Sequence, residues 1–84
     1  MSLKRSKETI AAEILELCIG GAGKTKIVYK ANMNFRTGSS YIDKLVRSGL
    51  LHTINGDLTV YETTEKGQEI LKGLKKIQGH IVQL

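Results

Sequence analysis

The chain has 84 residues, 40% of them hydrophobic and 25% charged, and thirteen Lys+Arg against eight Asp+Glu leave it at +5. That length fits one small domain with one modest core and excludes a second. No apolar run approaches the ~18–20 residues that a membrane-spanning helix needs, and the charged N-terminus excludes a secretory signal.

Ser6 can cap a first helix over 6–19, with Glu8 in the first turn where the helix dipole favours an anion. Ile10, Ala11, Ile14, Leu15, Leu17 and Cys18 recur with helical spacing and form its apolar stripe. Gly20-Gly21 stops it, one glycine supplying the left-handed position beyond the cap. A short second helix over 24–31 turns Ile27, Val28 and Ala31 inward, while Lys26 and Lys30 share its outer face. After the turn Asn32-Met33-Asn34, Asn34 can cap a third helix over 35–48. Met33 lies just outside that cap, placed to staple its start, and Gly49 ends it.

From Leu50 the pattern changes. A hairpin is expected over 51–62, with strands 51–54 and 58–61 joined by Asn55-Gly56, a pair suited to the positive φ of a type I′ turn. Both strand faces carry apolar residues, so either can face inward. Thr64 then caps a last helix over 65–78. It can extend to 84 along a heptad-like seam of Ile70, Leu74, Ile77, Ile81 and Leu84. Gly73 and Gly79 weaken it, each by roughly 1 kcal/mol against alanine. The fold class is therefore mainly α with a small β-hairpin, in the order helix-helix-helix-strand-strand-helix. A short helix and a longer one joined by a tight turn, then a hairpin, is the winged helix-turn-helix plan.

Three stretches carry a family resemblance. The run from Gly23 to Asn34, the segment Tyr41-Ile42-Asp43-Lys44-Leu45 with Gly49-Leu50-Leu51, and Tyr61 leading into Thr64-Glu65-Lys66-Gly67 together resemble small archaeal winged-helix DNA-binding proteins and predicted transcriptional regulators. The family pattern usually has an apolar residue where Gly38 stands, which implies a less rigid third helix here. Some members extend the last helix into a long antiparallel coiled coil. The resemblance therefore implies a homodimer in shortened form, through the last helix, with Ile81 and Leu84 lying beyond any core that one domain can supply.

Charge is unevenly spread. Residues 1–23 balance Lys4, Arg5 and Lys7 against Glu8, Glu13 and Glu16, and residues 48–84 balance four lysines against four acids. Residues 24–47 carry Lys24, Lys26, Lys30, Arg36, Lys44 and Arg47 against Asp43 alone, so the whole +5 falls on the second and third helices. Projected at 100° per residue, Phe35, Gly38, Ile42, Leu45 and Val46 form the buried side of the third helix. Opposite them stand Arg36, Thr37, Ser40, Asp43, Lys44 and Arg47, with Ser39 and Tyr41 on the flanks. Arg and Lys suit guanine edges and phosphates, and small hydroxyls allow close approach to a major groove. The expected base contacts are Arg36, Thr37, Ser39 and Ser40. The expected phosphate contacts are Lys24, Lys26, Lys30, Lys44 and Arg47, with the hydroxyl of a half-buried Tyr41. Asp43, four before Arg47, is expected to form an intrahelical ion pair.

The expected function is double-stranded DNA binding, either sequence-specific or general, by a cytoplasmic, nucleoid-associated transcriptional regulator with its third helix in the major groove. The alternative is a winged helix serving as a protein-interaction module, which has no need to concentrate +5 on two helices. The wing tip Asn55-Gly56-Asp57 lacks the cation that enters a minor groove. His52, Thr53 and Thr59 are expected in structural roles, and Cys18 as an inert core thiol. One cysteine and two distant histidines give neither a disulfide nor a zinc site, and no cofactor is expected. No small-molecule ligand is expected either, because so small a core leaves little room for an effector pocket. Gly20 to Thr25 resembles the end of a P-loop, but Cys18 stands where that motif needs glycine and a helix precedes it. No enzymatic constellation is expected from His52, His80 and Cys18, which fall in different elements.

Overall fold

In the computed structural model the backbone is described for residues 5–82 and the side chains for residues 5–77. The elements are α1 (Lys7–Leu17), α2 (Lys24–Lys30), α3 (Phe35–Arg47), β1 (Leu51–Ile54), β2 (Val60–Thr63) and α4 (Glu65–Val82). Their order is the one the sequence implies, and each of the first three helices ends one or two residues early, where its cap falls. Among the described residues no helix is long and apolar enough to cross a membrane.

The Ser6 hydroxyl accepts the Thr9 amide at 3.1 Å, which fixes the start of α1. That helix buries Ala12, Ile14, Leu15 and Cys18 against Ala22, Ile27, Ile42, Leu45, Leu51 and Leu71. Ala12 joins this core although it lies beside the expected stripe. Cys18 is fully buried, and loss of hydration pushes its thiol up from 9.0 to about 11. It stays protonated at neutral pH and is a poor nucleophile.

A helix end leaves carbonyls without partners, and the end of α1 satisfies them with β2. The buried Thr63 hydroxyl donates to Leu15 O at 2.5 Å, and the Thr63 amide donates to Cys18 O at 3.1 Å. Ala22, in the loop before α2, exchanges both backbone hydrogen bonds with Tyr61 at 2.9 and 2.8 Å. These contacts fix the register Leu51↔Thr63 through Ile54↔Val60. The expected hairpin is corrected accordingly. Its second strand is Val60–Thr63 rather than 58–61, and residues 55–59 form the connection. Neither Asn55 nor Gly56 adopts a positive φ, so the type I′ turn does not form. Burial of Thr63 and the Ala22 bridge outweigh the local turn preference, and Leu58 is left 82% exposed.

Thr64 caps α4 as expected, accepting the Gly67 amide at 3.0 Å while its hydroxyl donates to Gly49 O at 2.6 Å. α4 packs on α1, and Lys75 reaches Glu16 at 2.8 Å. Leu71, outside the seam, is the α4 residue buried in the core, with Leu74 partly covered beside it. Ile70 and Ile77 stay 43% and 60% exposed. Of the other two seam residues, the side chain of Ile81 and all of Leu84 lie outside the described residues.

Candidate nucleic-acid interface

The helix-turn-helix is built from local rules. α2 closes on Ala31, with Asn32 at φ 54° in the left-handed position. The Asn32 amide donates to Tyr29 O at 3.1 Å and the Met33 amide to Val28 O at 3.2 Å, the two bonds of a Schellman motif. Two residues later Asn34 Oδ1 accepts the Thr37 amide at 2.8 Å and starts α3. Gly49, at φ 77°, ends α3 by the same motif, through Gly49 N–H to Val46 O and Leu50 N–H to Leu45 O. Both ends of the third helix are thereby set within a residue of the sequence reading.

Gly38 sits where α3 crosses α2. A Cβ there would lie 2.5 Å from Val28 Cγ2 and 3.3 Å from Met33 Sδ. Gly38, expected to weaken α3, has a packing reason: its missing side chain leaves room for the Val28 side chain, and Met33 closes over it. Phe35 is the second correction. The helical projection puts it on the buried side, yet it is 55% exposed. As the first residue of α3 it stands at the end of the helix, outside the buried core.

The outward face matches the expected composition. Arg36, Thr37, Ser40, Asp43, Lys44 and Arg47 are exposed, and Ser39 and Tyr41 are half-buried on the flanks. On α2, Lys26 and Lys30 are exposed, and Lys24 Nζ lies 5.9 Å from the centroid of the Phe35 ring. The two helix starts meet there. Among the described residues the ion pairs are Arg5–Glu13 and Lys75–Glu16, with His52 hydrogen-bonded to Glu62, all made by residues outside 24–47. None of the six cations of the helix-turn-helix thus has a carboxylate partner; five are exposed, and Lys24 is half-buried. Asp43 and Arg47 do not pair, which corrects the expected intrahelical bridge. His52 has the structural role expected of it, holding Glu62 across the hairpin at 2.8 Å.

One wall of α3 borders a groove of about 640 Å³. Arg36, Thr37, Ser40, Tyr41 and Lys44 form that wall; Lys7, Glu8 and Ala11 of α1 and Leu74 of α4 form the other. The small core leaves little room for an effector, but this groove opens between helices rather than inside the core. Lys7 is the cation that sequence reasoning left out of the site. Its segment is neutral overall, and only the packing of α1 beside α3 brings it there.

A family model described as winged helix-turn-helix matches residues 4–81. The chain belongs to the winged helix-turn-helix family. The uncharacterized protein MJ0287 of Methanocaldococcus jannaschii is 35% identical to it over 75 residues, 88% of this chain and 74% of that protein. Among solved structures, this winged helix resembles Sso10a-2, a DNA-binding protein from Sulfolobus solfataricus, with a TM-score of 0.79 and 30% identity. That match covers 95% of this chain and 87% of Sso10a-2. The transcriptional regulator BldR from the same organism shares the fold, with a TM-score of 0.80 at 18% identity over 87% of this chain and 56% of BldR.

Proposed function

We propose that this winged helix binds double-stranded DNA with α3 in the major groove and acts as a transcriptional regulator. The observation that carries the reading is the +5 of residues 24–47, whose six cations make no ion pair among the described residues. A solvated helix needs polar residues but not six cations free of carboxylates, and phosphate neutralisation is the main source of affinity for DNA. The likeness to Sso10a-2, described as a DNA-binding protein, supports it.

Arg36, Thr37, Ser39 and Ser40, in the first half of α3, are assigned to base edges, because recognition helices read with their N-terminal residues. Lys24, Lys26, Lys30, Lys44, Arg47 and the Tyr41 hydroxyl are assigned to phosphates, which fix register without reading sequence. The exposed Ile70 and Ile77 support a homodimer through α4, the geometry that lets two α3 helices meet successive half-sites. A protein with these contacts works in the cytoplasm on the nucleoid, in a reducing compartment that suits its free cysteine.

Selection of bound sequences from a pool of random duplexes at ~50 mM salt tests this reading. Retention of duplex, with or without an enriched motif, is the expected result, and the motif separates specific regulation from general coating. No retention at that salt would leave the fold without this function and favour a protein-docking module.

A further inference from the structure

Phe35 is the chain's one phenylalanine, and it stands more than half exposed at the first position of α3. Full burial of its ring would favour folding, yet more than half of it stays in water. Its surroundings are cationic. Lys24 hangs over the ring at 5.9 Å, Arg36 follows it, and residues 24–42 contain no Asp or Glu. An apolar protein surface docking on this ring would have to strip water from those cations without compensation. A polyanion with apolar groups at its surface would not.

Duplex DNA presents such a group. The 5-methyl of thymine is the apolar feature of the major-groove edge, and phenylalanine is among the side chains that contact it. Resting on the duplex reading above, we propose that Phe35 reads thymine. Its ring packs on the thymine 5-methyl at the end of the site where α3 enters the groove, and Lys24 holds the phosphate beside that base. Three features support this placement. The Asn34 cap fixes the first turn of α3, the ring is already outside the core, and Lys24 starts the neighbouring helix. Phe35 therefore adds an apolar reader to the polar set of Arg36, Thr37, Ser39 and Ser40. The sequence pattern hid it by giving it a core position.

The test uses the full chain and four duplexes of equal length and charge. One alternates A·T, and one carries deoxyuridine in place of thymidine. One alternates G·C, and one carries 5-methylcytosine in place of cytosine. The second pair restores a methyl at the same groove position, which separates the methyl from other effects of uracil. Affinity is read by fluorescence anisotropy. Wild type should favour the methylated member of each pair by roughly four-fold for each methyl contacted. Phe35→Ala should abolish that preference while keeping the melting temperature, and Phe35→Leu should retain part of it. Lys24→Met should weaken all four duplexes alike and leave the methyl ratio unchanged. Wild type binding all four without preference, or Phe35→Ala keeping the wild-type ratio, overturns the proposal while the duplex reading stands. Binding to none of the four overturns both.

Discussion

α3 and α4 are both amphipathic helices with one face in the core, and they differ in what they show to solvent. α3 presents Arg36, Thr37, Ser40, Lys44 and Arg47, whereas α4 presents Ile70 and Ile77 between its lysines. Their glycines differ as well. Gly38 is buried where α2 and α3 cross, but a Cβ on Gly73 of α4 would meet nothing within 4 Å. α3 is thus packed closely against its neighbour and turns charge outward. α4 is open on a side that carries apolar groups. The first arrangement suits a polyanion, and the second suits another copy of the same helix.

The largest effect that separates the two helices is on stability. Gly38→Ala forces a methyl against the stiff, buried Val28 side chain and should lower unfolding free energy by about 1–3 kcal/mol, despite the helix propensity it adds. Gly73→Ala has open space and should raise it by about 0.5–1 kcal/mol. Denaturant melts of both variants check the contrast. If Gly38→Ala were as stabilising as Gly73→Ala, the close crossing of α2 and α3 would be wrong.

The next effect lies in assembly. Replacing both Ile70 and Ile77 by Glu should convert a dimer to a monomer in sedimentation experiments at micromolar concentrations. The fold should remain, since the core contacts of α4 run through Leu71 and Leu74. Wild type sedimenting only as a monomer would remove the role given to α4. A smaller effect concerns the core both helices share. Cys18 gains a raised pKa on folding, so the stability tied to its protonated form is complete below pH 9.0 and is lost as pH rises toward about 11. Thiol labelling of native protein at pH 8 should therefore be far slower than labelling of unfolded chain. Equal rates would contradict the burial.

Much of this contrast was legible in sequence, because it rests on local signals. The caps at Ser6, Asn34 and Thr64, the stop at Gly49 and the charge imbalance of residues 24–47 depend on near neighbours or on counting. What escaped depends on contacts between distant segments. The Asn55-Gly56 signal was overridden by Thr63 bonding to Leu15, 48 residues away. Phe35 has core spacing, but only the placement of α2 shows that its ring stays outside the core. Leu71, outside the seam, enters the core because α4 packs on α1 from the far end of the chain. Gly38 read as a weakness in one helix and is the contact between two. For the interface, residue types and their face were readable, whereas Lys7 and the groove it lines required the fold.

The central claim is that the exposed cations of α2 and α3 meet phosphates, and the salt dependence of duplex binding tests it most directly. With about five or six phosphates neutralised per protomer, log K should fall against log salt with a slope of about −4.5 to −5.4. Replacing Lys26 and Lys30 by Ala should flatten that slope by roughly one to two units and weaken all sequences alike. A slope near zero, or one that the double substitution leaves unchanged, would contradict the account.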